Sequence, residues 1–429
     1  MKRKLVKQIC AEWRSNVWLF IELLIVTLVL WWINDYFYSV RQIRIEPNGY
    51  DTRGVYMVHY SWDSSKYREG LNFDSIYPAQ MDAVIKRLRA EPAVSSVSLS
   101  CGITPHNYNF QGTPLFLPSD STLNVGFPGH PVCRYGIDAM GDICKTLGIV
   151  GANGETPAQL DDILREGKAL ITSNVQVYSG NDGDEPAEKV IDAADMVGKS
   201  VFVNSFGDSP VTIGGLILPQ KRATYESAAD MVTILLPRRF SFGVWGDILV
   251  GVKDDYTGDF VSDLRERLGK DYQLEYLYLT DVEAMEDIKA FNDRDMDQEA
   301  RMYIAMCLFL MLNVFLGLLG SFWFRTRQRA AEIAIRMVNG ATPRHILMRV
   351  VAEPLLLLGV TIPFAAGGVW LLYGMSVLFS PQLELPVIAT VSAVGLVTYA
   401  EMAVMVVLGV LFPALKAMRT RPAVVLQEE

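Results

Sequence analysis

The feature of this sequence that most limits its fold is a set of four long apolar runs. An α-helix needs about 20 apolar residues to cross the hydrocarbon layer of a membrane. The chain has 429 residues, of which 50% are hydrophobic, and the runs occupy residues 17–33, 302–324, 351–379 and 387–412. We therefore predict a membrane protein with one membrane helix near the amino terminus and three near the carboxyl terminus.

The first run has two interpretations, a cleavable signal peptide and a permanent anchor. Basic residues precede the run, which is compatible with both. The run is long for a signal peptide, the bulky residues Trp31, Trp32 and Tyr36 follow, and a small-residue cleavage pattern is missing. An uncleaved anchor is the favoured interpretation.

Basic residues predict the orientation, because Lys and Arg concentrate on the cytoplasmic side of membrane helices. They are frequent before the first helix, between the second and third helices and in the tail, whereas residues 380–386 contain none. Both termini and the loop after the second helix are therefore predicted to face the cytoplasm. The predicted order is a cytoplasmic amino terminus (1–16), helix 1 (17–38), an extracytoplasmic domain (39–300), helix 2 (301–324), a cytoplasmic loop (325–349), helix 3 (350–379), helix 4 (387–412) and a cytoplasmic tail (413–429).

Charge and cysteine content indicate which partners and which disulfide bonds the extracytoplasmic domain can have. The net charge of −9 argues against nucleic acid as a partner. An acidic domain would repel anionic lipid or attract cationic ligands, but simple solubility is the favoured explanation. Cys101, Cys133 and Cys144 lie where disulfides persist. A bond between Cys133 and Cys144 would close the shortest loop, and three free buried thiols are the alternative.

The extracytoplasmic domain begins and ends with a strand, helix, strand pattern. Residues 54–60 are β-rich, a helical apolar face follows, and a short strand-like stretch over residues 94–99 comes next. The face consists of Met81, Val84, Ile85 and Leu88. An α+β fold is therefore predicted.

The second unit lies before the membrane. It consists of a strand over residues 247–253, a helix that buries Phe260, Val261, Leu264 and Leu268 and ends at a Gly269 cap, and an alternating strand over residues 272–279. Because the two similar units (39–100 and 246–280) bracket residues 101–245, we predict that the bracketed region is an inserted subdomain.

Residues 281–300 are charged and contain a narrow apolar stripe, and they lead into the second membrane helix without Pro or Gly. One continuous stalk helix is predicted. Such a helix either transmits displacement, since it is a comparatively rigid element, or only spaces the domain from the lipid.

The triplet Gly198, Lys199 and Ser200 is similar to the end of a phosphate-binding loop. That loop requires a glycine where this chain has Ala193, and the segment is predicted to lie on the side without ATP. We expect no nucleotide site in this chain.

The other titratable residues outside the membrane runs form no catalytic pattern. The four histidines have no zinc-ligand spacing and join no nucleophile motif. Asp161 with Asp162 and Asp254 with Asp255 are candidate acid pairs, but adjacent side chains diverge, so solvated loops are expected. We therefore predict that the chain is not an enzyme and has no catalytic residue, metal or cofactor of its own.

Glu22 and Glu401 lie within the predicted membrane helices. An ionisable group in hydrocarbon costs roughly 2 kcal/mol or more and usually faces a partner or a cavity. We favour a role in joining membrane helices over a role in a proton or substrate pathway.

The cytoplasmic loop 325–349 has the most specific pattern. A short helix is predicted up to Gly340, and Thr342 with Pro343 suits the start of another helix. An amphipathic helix on the membrane surface is the alternative.

This loop resembles the cytoplasmic coupling segment of the MacB/FtsX/LolC-type permeases, which belong to the type VII, mechanotransmission ABC transporters. The matching residues are Arg329, Glu332, Ile333, Ile335, Arg336, Gly340, Ala341 and Thr342, with Glu353 beyond them. The family pattern is close to EIGIRKALGAS, from which Ala334, Met337 and Asn339 depart. The tail is similar to the family's closing pattern, through Pro413, Ala414, Ala417, Pro422, Leu426 and other residues.

The resemblance implies a function. It implies a permease subunit that contacts membrane lipid and dimerises with an identical or paralogous chain. It also implies a separate ATPase subunit that holds ATP and Mg²⁺ and binds the permease. The permease then moves a porter-like periplasmic domain. A further periplasmic or outer-membrane partner is compatible with it. The expected location is the bacterial inner membrane, and the expected role is efflux or the handling of lipoproteins or peptides. The alternatives are a regulator of a cell-wall enzyme that transports nothing and a receptor without an ATPase.

Overall fold

The structure is a computed structural model. It describes residues 13–66, 68, 73–106, 111–118, 120–126, 132–138, 142–179, 188–203, 210–228, 231–238, 246–328, 335, 342–379 and 386–419. The chain divides into two compact units, which are described separately. The membrane unit consists of Met1–Gln42 and Met296–Glu429, and the β-rich unit consists of Ile43–Asp295.

The helices of the described residues include four that are long and apolar enough to cross a membrane. The helices are α1 (Trp13–Ile45), α2 (Phe73–Arg89), α3 (Ile143–Thr146), α4 (Pro157–Arg165), α5 (Phe260–Arg265), α6 (Leu268–Asp271), α7 (Met285–Gln328), α8 (Pro343–Gly374) and α9 (Val387–Arg419). The candidate spans are Val17–Ile45, Met285–Gly317, His345–Gly374 and Val387–Leu411. The predicted one-plus-three order of membrane helices is confirmed.

The membrane unit has a packed apolar interior. Leu23 of α1 lies in one hydrophobic cluster with Met402 and Val406 of α9. Trp31 of α1 lies in a second cluster with residues of α8 and α9. A methyl group at Gly395 would lie 2.8 Å from the Trp31 ring, so glycine at this position allows the close contact.

The β-rich unit contains a sheet with 13 described strands. In chain order the strands are β1 (Val55–Trp62), β2 (Val94–Cys101), β3 (Gly112–Leu117), β4 (Asp120–Gly126), β5 (Val132–Asp138), β6 (Ala169–Thr172), β7 (Gln176–Ser179), β8 (Glu188–Ile191), β9 (Ser200–Val203), β10 (Pro210–Ile217), β11 (Thr233–Leu236), β12 (Asp247–Val252) and β13 (Leu277–Ala284). The strand order in the sheet is β13-β1-β12-β2-β5-β11-β6-β10-β9-β3-β4-β7-β8. β3 also pairs with β5, so the six strands β5-β11-β6-β10-β9-β3 form a closed ring.

Two β-α-β units interleave at one end of this sheet. β1 is antiparallel to both β12 and β13, and β12 is antiparallel to β2. β1 and β2 are therefore parallel, with α2 connecting them and β12 between them. By the same pairing, β12 and β13 are parallel, with α5 and α6 connecting them and β1 between them. This is a split β-α-β arrangement, and both predicted strand, helix, strand patterns are confirmed.

The predicted apolar face of α2 is buried. Met81, Val84, Ile85 and Leu88 are each at most 1% exposed. They form one hydrophobic cluster with the inward side chains of β2, β12 and β13. The helical spacing of apolar residues was therefore sufficient to predict which face of α2 packs on the sheet.

The strands of the region predicted as an insertion belong to the same sheet. β5 pairs with β2 through Ser100 with Asp138 and Cys101 with Ile137. Many side chains of this region form a hydrophobic cluster of their own, which includes Val125, Val201 and Ile234. The region thus has its own core but extends the sheet of its flanks.

Several boundaries differ from the prediction: α1 extends to Ile45 and α8 ends at Gly374, and three further differences lie near the end of the β-rich unit. The helix after Asp259 ends at Arg265, and Gly269 lies inside the next helix, α6, where it caps nothing. The last strand begins at Leu277 and not at Tyr272, because Tyr272 is buried one helical turn after Leu268. Residues 281–284, predicted as stalk helix, pair with β1 as part of β13. From Met285 onward the predicted continuous helix is confirmed, since α7 is unbroken for 44 residues.

Candidate functional site

Most of the predicted coupling segment lies outside the described residues. Arg329, Glu332, Ile333, Arg336, Gly340 and Ala341 belong to the part that the structure leaves undescribed. Ile335 is described as helical and is 51% exposed.

The end of the coupling segment is described, because Thr342 begins α8. The Thr342 hydroxyl accepts a hydrogen bond from the backbone N–H of His345 at 3.4 Å, and Pro343 occupies the first helical position. The threonine hydroxyl pairs one of the backbone N–H groups in the first turn that have no partner within the helix. Proline has no N–H, so it leaves none unpaired at the first helical position. The helix start predicted here is confirmed, so a rigid helix follows directly after the segment.

A polar network joins two helices inside the membrane unit. The side-chain amide of Asn34 in α1 donates to Glu401 Oε2 at 2.9 Å and to Thr398 Oγ1 at 3.0 Å, both in α9. Hydrogen bonds between membrane helices add to association that is otherwise driven by packing. Glu401 therefore has a partner that explains its place in an apolar helix without a transport pathway.

Glu22 lies at a second contact between membrane helices. A methyl group at Gly317 of α7 would lie 2.8 Å from Glu22 Oε1. The small residue lets α7 approach the carboxyl group closely. Both predicted intramembrane carboxylates therefore lie where helices meet.

Sequence reasoning missed the partners Asn34 and Thr398, and also Asp35. Asp35 is 1% exposed, and Oδ2 accepts from the backbone N–H of Phe379 at 2.7 Å. These residues hold α1, at Asn34 and Asp35, against α9 and against the segment after α8. Asp35 beside Asn34 in an apolar run was the one signal that pointed to them.

The predicted disulfide between Cys133 and Cys144 is not formed. The four described cysteines are free thiols. Cys133 lies in β5, in the hydrophobic core of the region predicted as an insertion, and its Sγ is 3.2 Å from the Val125 carbonyl oxygen. Cys144 lies in α3 in a different hydrophobic cluster. The short sequence separation is no guide here, because the two residues face different cores.

Asp161 also departs from its prediction as a solvated residue. It is fully buried, and its carboxylate accepts from the backbone N–H groups of Cys144 at 2.8 Å and Lys145 at 2.9 Å. Burial raises the pKa of Asp161 to about 6, although these two hydrogen bonds act in the opposite direction. The residue holds the start of α3 against α4 and has a structural role. Its neighbour Asp162 is exposed and pairs with Arg165.

Gly198 has a structural role in a turn, as expected for a segment without a nucleotide site. Gly198 has φ +87°, which few residues other than glycine adopt. Its N–H donates to the Ile213 carbonyl at 2.8 Å and fixes the turn that leads into β9. Among the described residues, no group of three or more His, Cys, Asp or Glu side chains is placed to hold a metal ion.

A cavity of about 460 Å³ lies in the β-rich unit, against β1 and the ends of β2 and β12. Its lining includes Tyr60, Trp62 and Asp247. The Asp247 carboxylate accepts from Thr104 Oγ1 at 2.5 Å, and the Tyr60 hydroxyl accepts from the Gly246 N–H at 3.3 Å. The volume is in the range of small-molecule sites, but these polar groups already hold the walls together.

The fold and these sites define a membrane protein with four candidate membrane helices and a large β-rich unit that contains interleaved β-α-β units. No known protein family matches the sequence, and no curated protein is significantly similar to it. The resemblance of the coupling segment therefore stays a prediction.

Proposed function

We propose that the chain is the permease subunit of an ABC transporter of the mechanotransmission type, similar to the MacB, FtsX and LolC permeases. In this proposal a separate ATPase subunit binds ATP and Mg²⁺, and the chain passes its movement to the β-rich unit. The chain catalyses nothing and holds no cofactor.

The observation that carries the proposal is the continuity of β13 with α7. Ala284 ends the strand and Met285 begins the helix, with no loop between them. Met285 is fully buried in a cluster that includes residues of β1 and β12. The helix is about 66 Å long at 1.5 Å per residue and ends at Gln328, next to the predicted coupling segment. A helix of this kind is suited to carry a displacement from the coupling segment into the sheet.

The interleaved β-α-β units support the porter-like part of the proposal. The permease is placed in the bacterial inner membrane, with both termini and the coupling segment in the cytoplasm and the β-rich unit in the periplasm. A second permease chain completes the transporter, and a periplasmic or outer-membrane protein is a further partner. Efflux or the handling of lipoproteins or peptides is the proposed role.

The proposal is tested by purifying the tagged full-length protein in mild detergent and identifying co-purified proteins by mass spectrometry. We expect a small soluble protein with a Walker motif. Gly340→Leu and Arg336→Ala are expected to abolish its recovery while the permease still inserts into the membrane.

Gly359→Leu is the matched control, because Gly359 lies in α8 with no atom within 4 Å of an added methyl group. Its recovery of the ATPase should equal that of the wild type. Repeated absence of an ATPase from the wild-type preparation would contradict the proposal and leave a receptor. An ATPase that co-purifies with a cell-wall hydrolase, in a strain where the pair transports nothing, would favour a regulator.

A further inference from the structure

Residues 219–228, which follow β10, contact the end of α1 and the start of α7. We call this segment the latch. The latch and its contact residues in α1 and α7 all lie within the β-rich unit, Ile43–Asp295. The latch begins where Pro219 packs on Gly49, and a side chain at Gly49 would collide with the Pro219 carbonyl oxygen.

The latch holds the carboxyl end of α1 through a buried lysine. Lys221 is 1% exposed, and its ammonium group donates to the Ile43 carbonyl and, at 2.8 Å, to the Glu46 carbonyl. Carbonyl groups at the end of a helix lack partners within the helix and favour a cation. The Glu46 carboxylate in turn accepts from Ser227 Oγ and the Ala228 N–H, each at 3.2 Å. The end of α1 is thus held from both ends of the latch.

The latch also holds the first turns of α7. Thr224 Oγ1 donates to Asp293 Oδ2 at 2.7 Å. The Asn292 amide donates to the His106 carbonyl, and the His106 N–H donates to the Arg222 carbonyl at 2.8 Å. The loop after β2, the latch and α7 are therefore linked by hydrogen bonds.

A buried arginine fixes the same region to the sheet. Arg134 of β5 is 2% exposed and donates to the carbonyls of Gly102 at 2.9 Å and Thr104 at 3.4 Å. Burial lowers the pKa of Arg134 to about 10; the charge of Arg222 also lowers it, whereas Tyr50 and Glu226 raise it. One polar network thus connects the ends of α1 and α7 to the centre of the sheet.

The latch is held mainly by polar contacts, and Ala228 is its one buried hydrophobic side chain. None of its ten residues belongs to a hydrophobic cluster, whereas Leu216 and Ile217 just before it do. Opening the latch would therefore expose little apolar surface, and exposed apolar surface is what opposes the opening of a packed element.

The closed latch also leaves polar atoms unpaired. Among the described residues, Tyr50 Oη, His106 Nδ1 and Gln220 Nε2 are buried without a hydrogen-bond partner. His106 has φ +58°, a left-handed conformation that is uncommon for residues other than glycine. A buried polar group without a hydrogen-bond partner destabilises the closed state, and exposure to water removes this penalty because water forms the missing hydrogen bond. These atoms favour the open state and offset the hydrogen bonds that hold the latch closed.

We propose that the latch is a releasable clasp that holds the ends of α1 and α7 to the sheet when closed and opens in each transport cycle. Its role in transport rests on the proposed function. The opening itself is a property of this chain and can be measured without a partner.

Hydrogen exchange of the full-length protein in detergent, read by mass spectrometry, tests the opening. Amides of residues 219–228 are expected to exchange about 100-fold faster than those of β10 (Pro210–Ile217), because they report local opening and not unfolding of the sheet. Lys221→Met should speed exchange at residues 43–48 by about 10-fold. Lys168→Met, which removes an exposed lysine paired with Glu166, should leave it unchanged. Latch amides as slow as those of β10 would overturn the proposal.

A cysteine pair tests the role. Thr224→Cys with Asp293→Cys should cross-link on oxidation, and ATP hydrolysis by the purified complex should fall about 10-fold and recover on reduction, if the latch must open in each turnover. The control pair is Ser200→Cys with Thr212→Cys, whose side-chain oxygens are 3.1 Å apart on β9 and β10. It should cross-link without loss of activity.

The outcomes are separable. A cross-linked latch that retains full activity overturns the proposal, as does a latch pair that fails to cross-link where the control pair succeeds. Equal loss of activity with both pairs also counts against it. If no ATPase is ever recovered, the proposed function fails, and hydrogen exchange alone decides whether the latch opens.

Discussion

At the scale of single residues, His106 links burial to a dependence on pH. Burial lowers the pKa of His106 to about 4, with the Asp293 carboxylate raising it and the Lys289 ammonium lowering it further. A histidine in an unfolded chain has a pKa near 6.5. Between about pH 4 and 6.5 the unfolded chain therefore binds a proton that the folded chain does not. Stability is highest above this window and falls as the pH falls through it.

His106→Asn removes this titration and keeps a residue that tolerates the left-handed conformation. Between pH 7 and pH 4.5 the wild type should lose roughly 2 kcal/mol more of its free energy of unfolding than the variant. Urea unfolding of the full-length protein in detergent, followed by tryptophan fluorescence at both pH values, measures the difference. Identical pH dependence in the two proteins would show that the pKa of His106 does not differ between the folded and unfolded chains.

Local rules identified some single residues and missed others. The Thr342 cap follows from residue types that are adjacent in the chain. The bond between Asn34 and Glu401 joins residues 367 positions apart, and Lys221 reaches Ile43 over 178 positions. Such contacts leave no periodic signal in the sequence. Asp161 was misread for the same reason, because its two donors lie in a different helix.

At the scale of secondary-structure elements, periodicity was sufficient where one face alone is buried. The apolar spacing in α2 matched the buried face residue by residue. The strand predicted from Tyr272 was wrong at its start, because Tyr272 and Leu268 also satisfy the four-residue helical spacing. A short alternating stretch after a helix does not distinguish the last helical turn from the first strand residues.

The buried face of α2 gives a prediction about stability. Leu88 is fully buried against the sheet, so Leu88→Ala should lower the free energy of unfolding by about 2–5 kcal/mol. The exposed neighbour Lys86 provides the control, and Lys86→Ala should change it by less than about 0.5 kcal/mol. Urea unfolding of the full-length protein in detergent measures both. Equal effects of the two substitutions would mean that α2 does not pack on the sheet through this face.

At the scale of the whole molecule, the sequence predicted the membrane helices and the flanking β-α-β units but not the extent of the sheet. The membrane helices are long runs, and each β-α-β unit is contiguous in sequence. The join between β2 and β5 consists of two residue pairs, Ser100 with Asp138 and Cys101 with Ile137. A pairing of two residues leaves no pattern in the sequence. The region 101–245 was therefore predicted to be a separate inserted subdomain.

The orientation of the chain in the membrane is a prediction that covers the molecule as a whole. Positive charges predict that the loop before α8 lies in the cytoplasm and the β-rich unit on the opposite side. Asp254 lies in an exposed turn of the β-rich unit, and the exposed His345 lies in the first turn of α8. In spheroplasts, a membrane-impermeant maleimide should label Asp254→Cys above the wild-type background.

The same reagent should label His345→Cys only after the membrane is opened, because the residue would face the cytoplasm. The two variants are controls for each other, since both side chains are exposed and differ only in the predicted side of the membrane. Labelling of His345→Cys in closed spheroplasts would contradict the orientation. It would also place the coupling segment out of reach of a cytoplasmic ATPase, so the proposed function depends on this result.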